Sequence, residues 1–223
     1  MSIVLVLDSS GSMSHNLHFL QEAAINFIYK LEDIDEALVI QFNNSIKDSR
    51  EFTADIDRLE RLVDGMQAWG GTSLFDSIHH SLNRIRDRPG RKALVVFSDG
   101  SDTTSMMGER DVIDYARAVE ASVYSVGIKA GPGFVGGSPR GFLKKIAKET
   151  GGQAFFPGKV RELIQIFAAI SDELHNHYAL AYTPARSPDG TFRKIEVKLN
   201  RKDAKIRVRN GYFAVKRSAR ASS

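Results

Sequence analysis

The feature that most constrains the fold is a set of short apolar runs that recur along the chain. They cover residues 3–7, 37–42, 93–97 and 123–128, and the first consists entirely of isoleucine, valine and leucine. A strand that is apolar at nearly every position, instead of at alternate positions, is covered on both faces, as strands of parallel sheets are. Each run therefore predicts a buried strand of a parallel sheet.

Segments with helical spacing separate these runs. Their apolar residues recur every three or four positions in three groups: Phe19, Ala23, Phe27 and Leu31; Leu74, Ile78, Leu82 and Ile85; and Val112, Tyr115 and Val119. Two more helices are predicted from about Pro139 to Thr150 and from about Val160 to Leu174, with a strand at residues 153–156 between them. Strands that alternate with helices predict an α/β fold, with a three-layer, doubly wound and mostly parallel sheet.

The pattern changes near the C-terminus. Apolar residues alternate with small or polar ones in residues 178–182, 195–199 and 206–208, which predicts three antiparallel strands. We expect residues 1–174 to form the α/β domain and residues 175–217 to form an antiparallel extension that packs on it, with Tyr178 and Tyr182 among the packing residues. Residues 218–223 are expected to be a disordered tail.

The composition limits the kinds of metal site and catalytic residue that the chain can have. The 223 residues include no cysteine, which excludes zinc ribbons, iron–sulfur clusters and thiol nucleophiles, so a bound metal needs oxygen or imidazole ligands. The net charge of +4 is unevenly spread, because residues 184–223 carry twelve Lys and Arg against three Asp and Glu, which leaves −5 on the remainder. Basic residues that alternate with apolar ones are typical of the solvated face of a sheet, so this segment does not by itself indicate nucleic-acid binding.

The sequence leaves the compartment open. No window approaches the roughly 20 consecutive apolar residues of a membrane-spanning helix, so we expect no membrane insertion. The opening MSIVLVLD lacks the basic segment and cleavage site of a signal peptide. Two interpretations remain at this point: a cytoplasmic protein, or a fragment from which an upstream signal has been removed.

Oxygen-bearing side chains follow the ends of two predicted strands. Asp8 ends the first run and is followed by Ser10 and Ser12, Thr72 precedes a predicted helix, and Asp99 ends another run. In a doubly wound sheet these loops share the edge where ligands bind. Two carboxylates and three hydroxyls suit Mg²⁺, Mn²⁺ or Ca²⁺. The alternative for the serine-rich loop alone is a helix cap without metal.

The pattern Asp8-x-Ser10-x-Ser12, with Thr72 and Asp99, resembles the metal-ion-dependent adhesion site of von Willebrand factor type A domains. The resemblance covers roughly residues 2–174 and extends to the segments GGTSLFDSIHHSLNRI, RKALVVFSDGSDTTS, VYSVGI and ETGGQAFF. The C-terminal segments YALAYTP and RVRNGYF resemble a bacterial subfamily of acidobacterial type. The resemblance implies that these five residues bind Mg²⁺ (or Mn²⁺ or Ca²⁺) and that a partner protein supplies an acidic side chain to the metal. It also favours a secreted or extracytoplasmic location.

Two other functions are alternatives to this one. A metal-dependent hydrolase would use the same cavity, and a polyanion-binding module would use the basic C-terminal strands. The G-x-G-x-x-G string at residues 131–136 follows a late strand and lacks the acidic residue of a dinucleotide site, so it predicts a loop. We expect a binding module without catalytic activity or a nucleic-acid partner, with specificity supplied near Trp69, Met106 and Phe134; the sequence leaves its oligomeric state open.

Overall fold

A six-stranded sheet forms the centre of the protein, in a computed structural model that describes residues 1–99, 102–128, 140–176, 178, 180, 182–200 and 206–214. Its strands lie in the order β3-β2-β1-β4-β5-β6, and only β3 runs antiparallel to its neighbour. The strands are β1 (Ser2–Asp8), β2 (Glu36–Phe42), β3 (Ile46–Asp48), β4 (Lys92–Ser98), β5 (Ser122–Gly127) and β6 (Ala154–Phe155). The predicted α/β class and mostly parallel sheet are confirmed.

Helices cover both faces of this sheet and produce two separate apolar layers. They are α1 (Leu17–Ile28), α2 (Ile56–Asp64), α3 (Leu74–Ile85), α4 (Glu109–Val119), α5 (Arg140–Thr150) and α6 (Leu163–His175). One layer joins α1, α2 and α6 to the sheet, and the other joins α3, α4 and α5 to its opposite face. Successive residues of β1 alternate between the layers: Leu5 and Leu7 enter the first, Val4 and Val6 the second. This two-sided burial explains why the central strands are apolar at every position.

The order of the strands reverses between β1 and β4. From β1 the chain builds one half of the sheet through β2 and β3, and from β4 it builds the other half through β5 and β6. In open α/β sheets such a reversal leaves a crevice at the carboxyl ends of the two strands, because their following connections diverge to opposite faces. Asp8 is the last residue of β1, and Asp99 directly follows β4. The fold therefore sets both acids at this crevice.

The C-terminal extension is smaller than the alternation of its sequence predicts. Its only regular pairing among the described residues joins β7 (Phe192–Lys194) to β8 (Gly211–Phe213) as an antiparallel pair. The expectation of three strands at residues 178–182, 195–199 and 206–208 is wrong for the described part of those segments. The apolar side chains of residues 199, 206 and 208 are exposed, and without a covered face an amphipathic strand gains little from pairing.

Charged contacts join the extension to the body. The Arg209 guanidinium lies 3.2 Å from the Glu120 carboxylate, and Arg207 pairs with Glu173 on α6. Two side chains expected to pack between the parts do not, because Tyr178 and Tyr182 are exposed. Polar contacts therefore carry much of the attachment in the described residues.

Two elements in the first third of the chain were not predicted, namely β3 and α2. The predicted helix beginning near Val160 is divided into a 3₁₀ turn at Val160–Glu162 followed by α6. The loop at residues 131–136, including Phe134, and the expected tail at residues 218–223 lie outside the described residues. Within the part of the chain described, no helix has the length and apolar character needed to cross a bilayer.

The connection from α5 to β6 passes close to the backbone of β5. A Cβ atom added at Gly152 would lie 2.1 Å from the carbonyl oxygen of Val123 in β5. Because that neighbour is backbone inside a sheet, it cannot move aside. We expect Gly152→Ala to lower the free energy of unfolding by about 3 kcal/mol, measured by urea denaturation.

Gly141 supplies the matched control for this substitution. It lies in α5, and a Cβ added there meets no atom within 4 Å. Gly141→Ala should stabilise the protein by up to about 1 kcal/mol, because alanine restricts the unfolded chain and favours helix. Equal effects of the two substitutions would contradict the packing described for Gly152.

Candidate metal site

Asp8 lies at the centre of the crevice and is completely buried. One carboxylate oxygen accepts a hydrogen bond of 2.8 Å from the backbone amide of Ser10, and the other accepts one of 2.6 Å from the Ser98 hydroxyl. Burial raises the pKa of Asp8 to about 6, although these hydrogen bonds oppose the shift and the charge of Asp99 adds to it. The site thus holds a carboxylate whose charge is costly in the absence of a cation.

Asp99 is the second buried acid, and one of its oxygens has no partner. Its Oδ1 accepts a hydrogen bond of 2.7 Å from the Ser12 hydroxyl, while Oδ2 is buried and has no hydrogen-bond partner among the described residues. Burial raises the pKa of Asp99, and the bond from Ser12 offsets part of that shift. A buried carboxylate oxygen without a donor is rare and costly, and a cation is one partner that would offset this cost.

The serine hydroxyls connect the first loop to the second acid. The hydroxyl oxygens of Ser10 and Ser12 lie 3.0 Å apart. Because Ser12 donates its proton to Asp99, Ser10 must be the donor in the bond between the two serines. Four of the five predicted residues, Asp8, Ser10, Ser12 and Asp99, are therefore joined by one hydrogen-bonded network.

Thr72 is the fifth predicted residue. Backbone hydrogen bonds hold its loop between the serine loop and the segment that follows Asp99. The amide of Gly11 donates to the carbonyl of Gly70 at 3.0 Å, which ties this loop to the serine loop. The amide of Thr103 donates to the carbonyl of Thr72 at 2.8 Å, which ties it to the segment after Asp99. Thr72 itself is buried. Its loop is thus held against both of the acid-bearing loops.

Two acids outside the predicted set brace these loops. Asp102 accepts a hydrogen bond of 2.9 Å from the amide of Phe75 in the first turn of α3. In return, Asp76 of α3 accepts bonds of 2.9 Å from the amides of Met106 and Met107. Asp102 therefore acts as a helix-capping acid. The reciprocal role of Asp76, like the contact from Ser98 to Asp8, was not predicted, because both depend on tertiary contacts.

The donor set fits a hard divalent cation. The buried oxygens comprise two carboxylates and serine and threonine hydroxyls, with neither thiolate nor imidazole among them. The unpartnered oxygen of Asp99 is the observation that points to an ion, because a helix cap would leave no buried acceptor unsatisfied. In a hydrogen-bonded capping loop both acids would find donors, so the capping interpretation accounts for Asp8 and not for Asp99.

A second acidic cluster lies at the opposite end of the sheet. Asp35 accepts a hydrogen bond from the backbone nitrogen of Met1 at 2.7 Å and lies 2.8 Å from His175 Nε2, with Glu32 nearby. Burial disfavours the charged imidazole, but its bonds to Asp35 and Ser171 raise the pKa of His175 overall. The buried acid here is already neutralised by cations, so the cluster is an ion-pair connection between α6 and the segment before β2.

The comparisons with known proteins agree with this fold. The family model for the von Willebrand factor type A domain matches residues 2–169. No curated protein sequence is significantly similar to the chain.

Solved structures of low sequence identity share the architecture. A von Willebrand factor type A protein from Catenulispora acidiphila superposes with a TM-score of 0.65 at 18% identity, over 76% of this chain and 41% of its own. The conserved hypothetical protein BatB from Bacteroides thetaiotaomicron gives 0.62 at 17% identity, over 78% and 97%. The vWF domain of the type V pili tip protein Mfa5 from Porphyromonas gingivalis gives 0.63 at 11% identity, over 81% and 97%. The chain spans less than half of the Catenulispora protein but nearly all of the other two domains.

The family match covers about three quarters of the chain, and the strand order and helix placement of the structure agree with it. The chain belongs to the von Willebrand factor type A domain family.

Proposed function

We propose that the protein is a binding module that holds a divalent cation, Mg²⁺ or alternatively Mn²⁺ or Ca²⁺, and recognises a partner protein by an acidic side chain. The residues proposed to hold the ion are Asp8, Ser10, Ser12, Thr72 and Asp99. The observation that carries the proposal is the buried Asp99 oxygen without a hydrogen-bond partner, adjacent to a second buried acid whose pKa is raised. A bound cation would neutralise these acids and offer a coordination position to an anionic oxygen of the partner.

Hydrogen bonds within the chain order the loops of the proposed site in the absence of a partner. Backbone hydrogen bonds connect the loops that carry Asp8, Thr72 and Asp99. The loop after Asp99 is restrained further, because Asp102 accepts a hydrogen bond from α3 and Asp76 of α3 accepts one from the amide of Met106. Since each loop is held by groups outside the donor set, ordering costs little when a ligand binds. Preorganisation of this kind supports a role in recognition.

Binding is favoured over hydrolysis by the burial of Asp8. A nucleophilic carboxylate must reach its substrate, and Asp8 has no exposed surface. Among the described hydrogen bonds, neither carboxylate of the pair contacts a lysine or histidine that would serve as a general acid or base. The proposed function is therefore non-catalytic.

Three described arginines of the extension are engaged by groups of the protein itself. Arg207 and Arg209 pair with Glu173 and Glu120 of the body, and Arg193 is buried with two backbone carbonyl oxygens as its acceptors. Charges engaged in this way are not free to attract phosphates. We infer that the extension attaches to the body and that ligand recognition takes place at the metal site.

An extracytoplasmic location completes the proposal. The structural relatives include a pilus tip protein and a protein described as an aerotolerance-related membrane protein, and each of these descriptions applies to the relative alone. For this chain, the absence of cysteine is compatible with an oxidising compartment. We propose that the module acts outside the cytoplasm.

Metal binding provides the direct test. Titration calorimetry with Mg²⁺ and Mn²⁺ should give a saturable isotherm for the wild-type protein. Asp8→Ala and Asp99→Ala should each weaken affinity by at least about a hundredfold, because loss of a ligand costs more than loss of a supporting group. Asp48→Asn is the control, since Asp48 pairs with His80 and Arg84 on α3 and should leave the affinity unchanged. Unchanged affinity in both alanine variants would refute the site.

Removal of the charge on Asp8 should stabilise the metal-free protein. The native pKa of about 6 lies above the 3.8 of an unperturbed aspartate, so the native state binds the proton more tightly than the unfolded chain does. This favourable contribution is complete below about pH 4 and is lost as pH rises through 6, which leaves a cost on the order of 2–3 kcal/mol at pH 7. Asp8→Asn removes that charge, so with chelator present it should raise the free energy of unfolding at pH 7 and flatten its decline between pH 4 and 6.

Mg²⁺ should invert this order of stability. A ligand that binds only the native state adds about 4.1 kcal/mol at a thousand times its dissociation constant, which exceeds the cost of the buried charge. The wild-type protein should gain thermal stability with Mg²⁺, and Asp8→Asn should gain none. Asp48→Asn provides the contrast for the charge effect, because it breaks an ion pair and should not stabilise the metal-free protein. A metal-free Asp8→Asn protein less stable than wild type at pH 7 would contradict the proposed cost of the buried charge.

A further inference from the structure

A small cavity adjoins the proposed metal site on the side of β2 and β3. Its volume is about 140 Å³. The lining residues share an unusual combination of polar side chains and one aromatic ring: Ser9, Gln41, Asn43, Ser45, Lys47, Gly65, Gln67 and Trp69. Ser9 directly follows Asp8, so the cavity and the metal site share a wall.

Trp69 forms the outer side of this cavity. Its side chain is 55% exposed, so a large aromatic surface is available to a ligand beside the cavity. Its backbone amide donates a hydrogen bond of 2.9 Å to the carbonyl of Ser9. This bond connects the backbone of Trp69 to the serine loop.

The loop that carries Trp69 also has a fixed conformation. Gly70 adopts a φ of +75°, and a Cβ there would lie 2.5 Å from the side-chain oxygen of Asn44. Only glycine enters this conformation without strain. The loop therefore presents the indole to solvent as a consequence of its backbone geometry.

Lys47 contributes a positive charge to the same cavity. Within the described residues it forms no ion pair, and its neighbour Asp48 is directed toward His80 and Arg84 on the opposite side of β3. Alternate residues of a strand point to opposite faces, which separates the lysine from that carboxylate. The cavity thus contains a cation without a counter-ion, beside a site proposed to hold a second cation.

The sheet geometry sets the spacing between these two positive positions. Lys47 pairs with Gln41 on β2, and Asp8 pairs with Phe42. Because neighbouring strands lie about 4.8 Å apart, the backbone of Lys47 is about 10 Å from that of Asp8, across two strand spacings. Lys47 shares a face of the sheet with Gln41 and Leu7, whereas Asp8 lies one residue further along β1 and points to the other face. An extended chain advances about 3.4 Å per residue, so it needs at least about three residues to reach from one position to the other.

We propose that this cavity binds the segment next to the acid that reaches the metal, and that the partner is an extended acidic peptide segment. Its first carboxylate would bind at the metal, an apolar side chain would cover Trp69, and a second carboxylate about three residues away would pair with Lys47. This proposal depends on the proposed function, because the first carboxylate requires the metal. Lys47 and Trp69 determine specificity and take no part in holding the ion.

A pair of synthetic peptides tests the spacing. The probe is a blocked peptide with a central aspartate, leucines beside it and glutamates about three positions to either side; its control has glutamines in place of the glutamates. Trp69 is the only tryptophan, so its emission reports directly on the cavity. With Mg²⁺ present, the glutamate peptide should shift the emission to shorter wavelength and bind about fivefold more tightly than its control.

Substitution of Lys47 identifies the source of that preference. Lys47→Gln should bind both peptides with the affinity that wild type has for the glutamine peptide, and Lys47→Arg should retain the preference. Lys47 is an exposed residue, so both variants should keep the wild-type Mg²⁺ isotherm and fold. A wild-type protein that binds the two peptides equally, or a Lys47→Gln protein that still prefers the glutamate peptide, would overturn the proposal.

The Mg²⁺ titration separates the two levels of inference. Normal Mg²⁺ binding without measurable binding of either peptide overturns the peptide proposal and leaves the metal site intact. Loss of both overturns the proposed function as well. Emission shifts that persist in chelator would also refute the proposal, because they would show that the peptide does not depend on the metal.

Discussion

The close approach of two buried carboxylates at the crevice between β1 and β4 governs the rest of this structure. Charges of the same sign resist burial and resist each other, and both effects raise the pKa of Asp8. The fold tolerates the pair because β1 and β4 are fixed by apolar layers on both faces of the sheet, whose burial stabilises the domain. The free energy gained by burying the apolar layers thus offsets the cost of burying the two carboxylates.

The hydrogen bonds around the two acids differ in a way that indicates their roles. Asp8 has donors on both oxygens, whereas Asp99 has a donor on one oxygen only. A site built for hydrogen bonding alone would satisfy both residues. The asymmetry is what a cation site requires, because a carboxylate oxygen that accepts no hydrogen bond retains its lone pairs for coordination.

Much of this arrangement could be predicted from the sequence. The uninterrupted apolar runs indicate buried parallel strands, and the position of Asp8 and Asp99 at their ends places both acids at one edge. The elements on the β3 side were missed, because α2 buries only Leu59 and Val63 and β3 has three residues, Ile46 and two charged ones. Local periodicity is weak in such segments, and their positions depend on contacts with β2. The cavity beside Trp69 could not be predicted for the same reason.

The extension shows the opposite failure, in which a clear local pattern did not determine the structure. Residues 195–199 and 206–208 alternate as strands do, yet regular pairing occurs at residues 192–194 and 211–213 instead. Those positions are fixed by the body: Gly151 approaches the backbone of Arg209 so closely that a Cβ would lie 2.6 Å from its nitrogen, and Arg209 pairs with Glu120. The uneven distribution of charge along the chain therefore supports ion pairs within the protein. Basic residues of the extension neutralise acids of the body, whereas no basic residue is among the described hydrogen-bond partners of the two acids at the crevice.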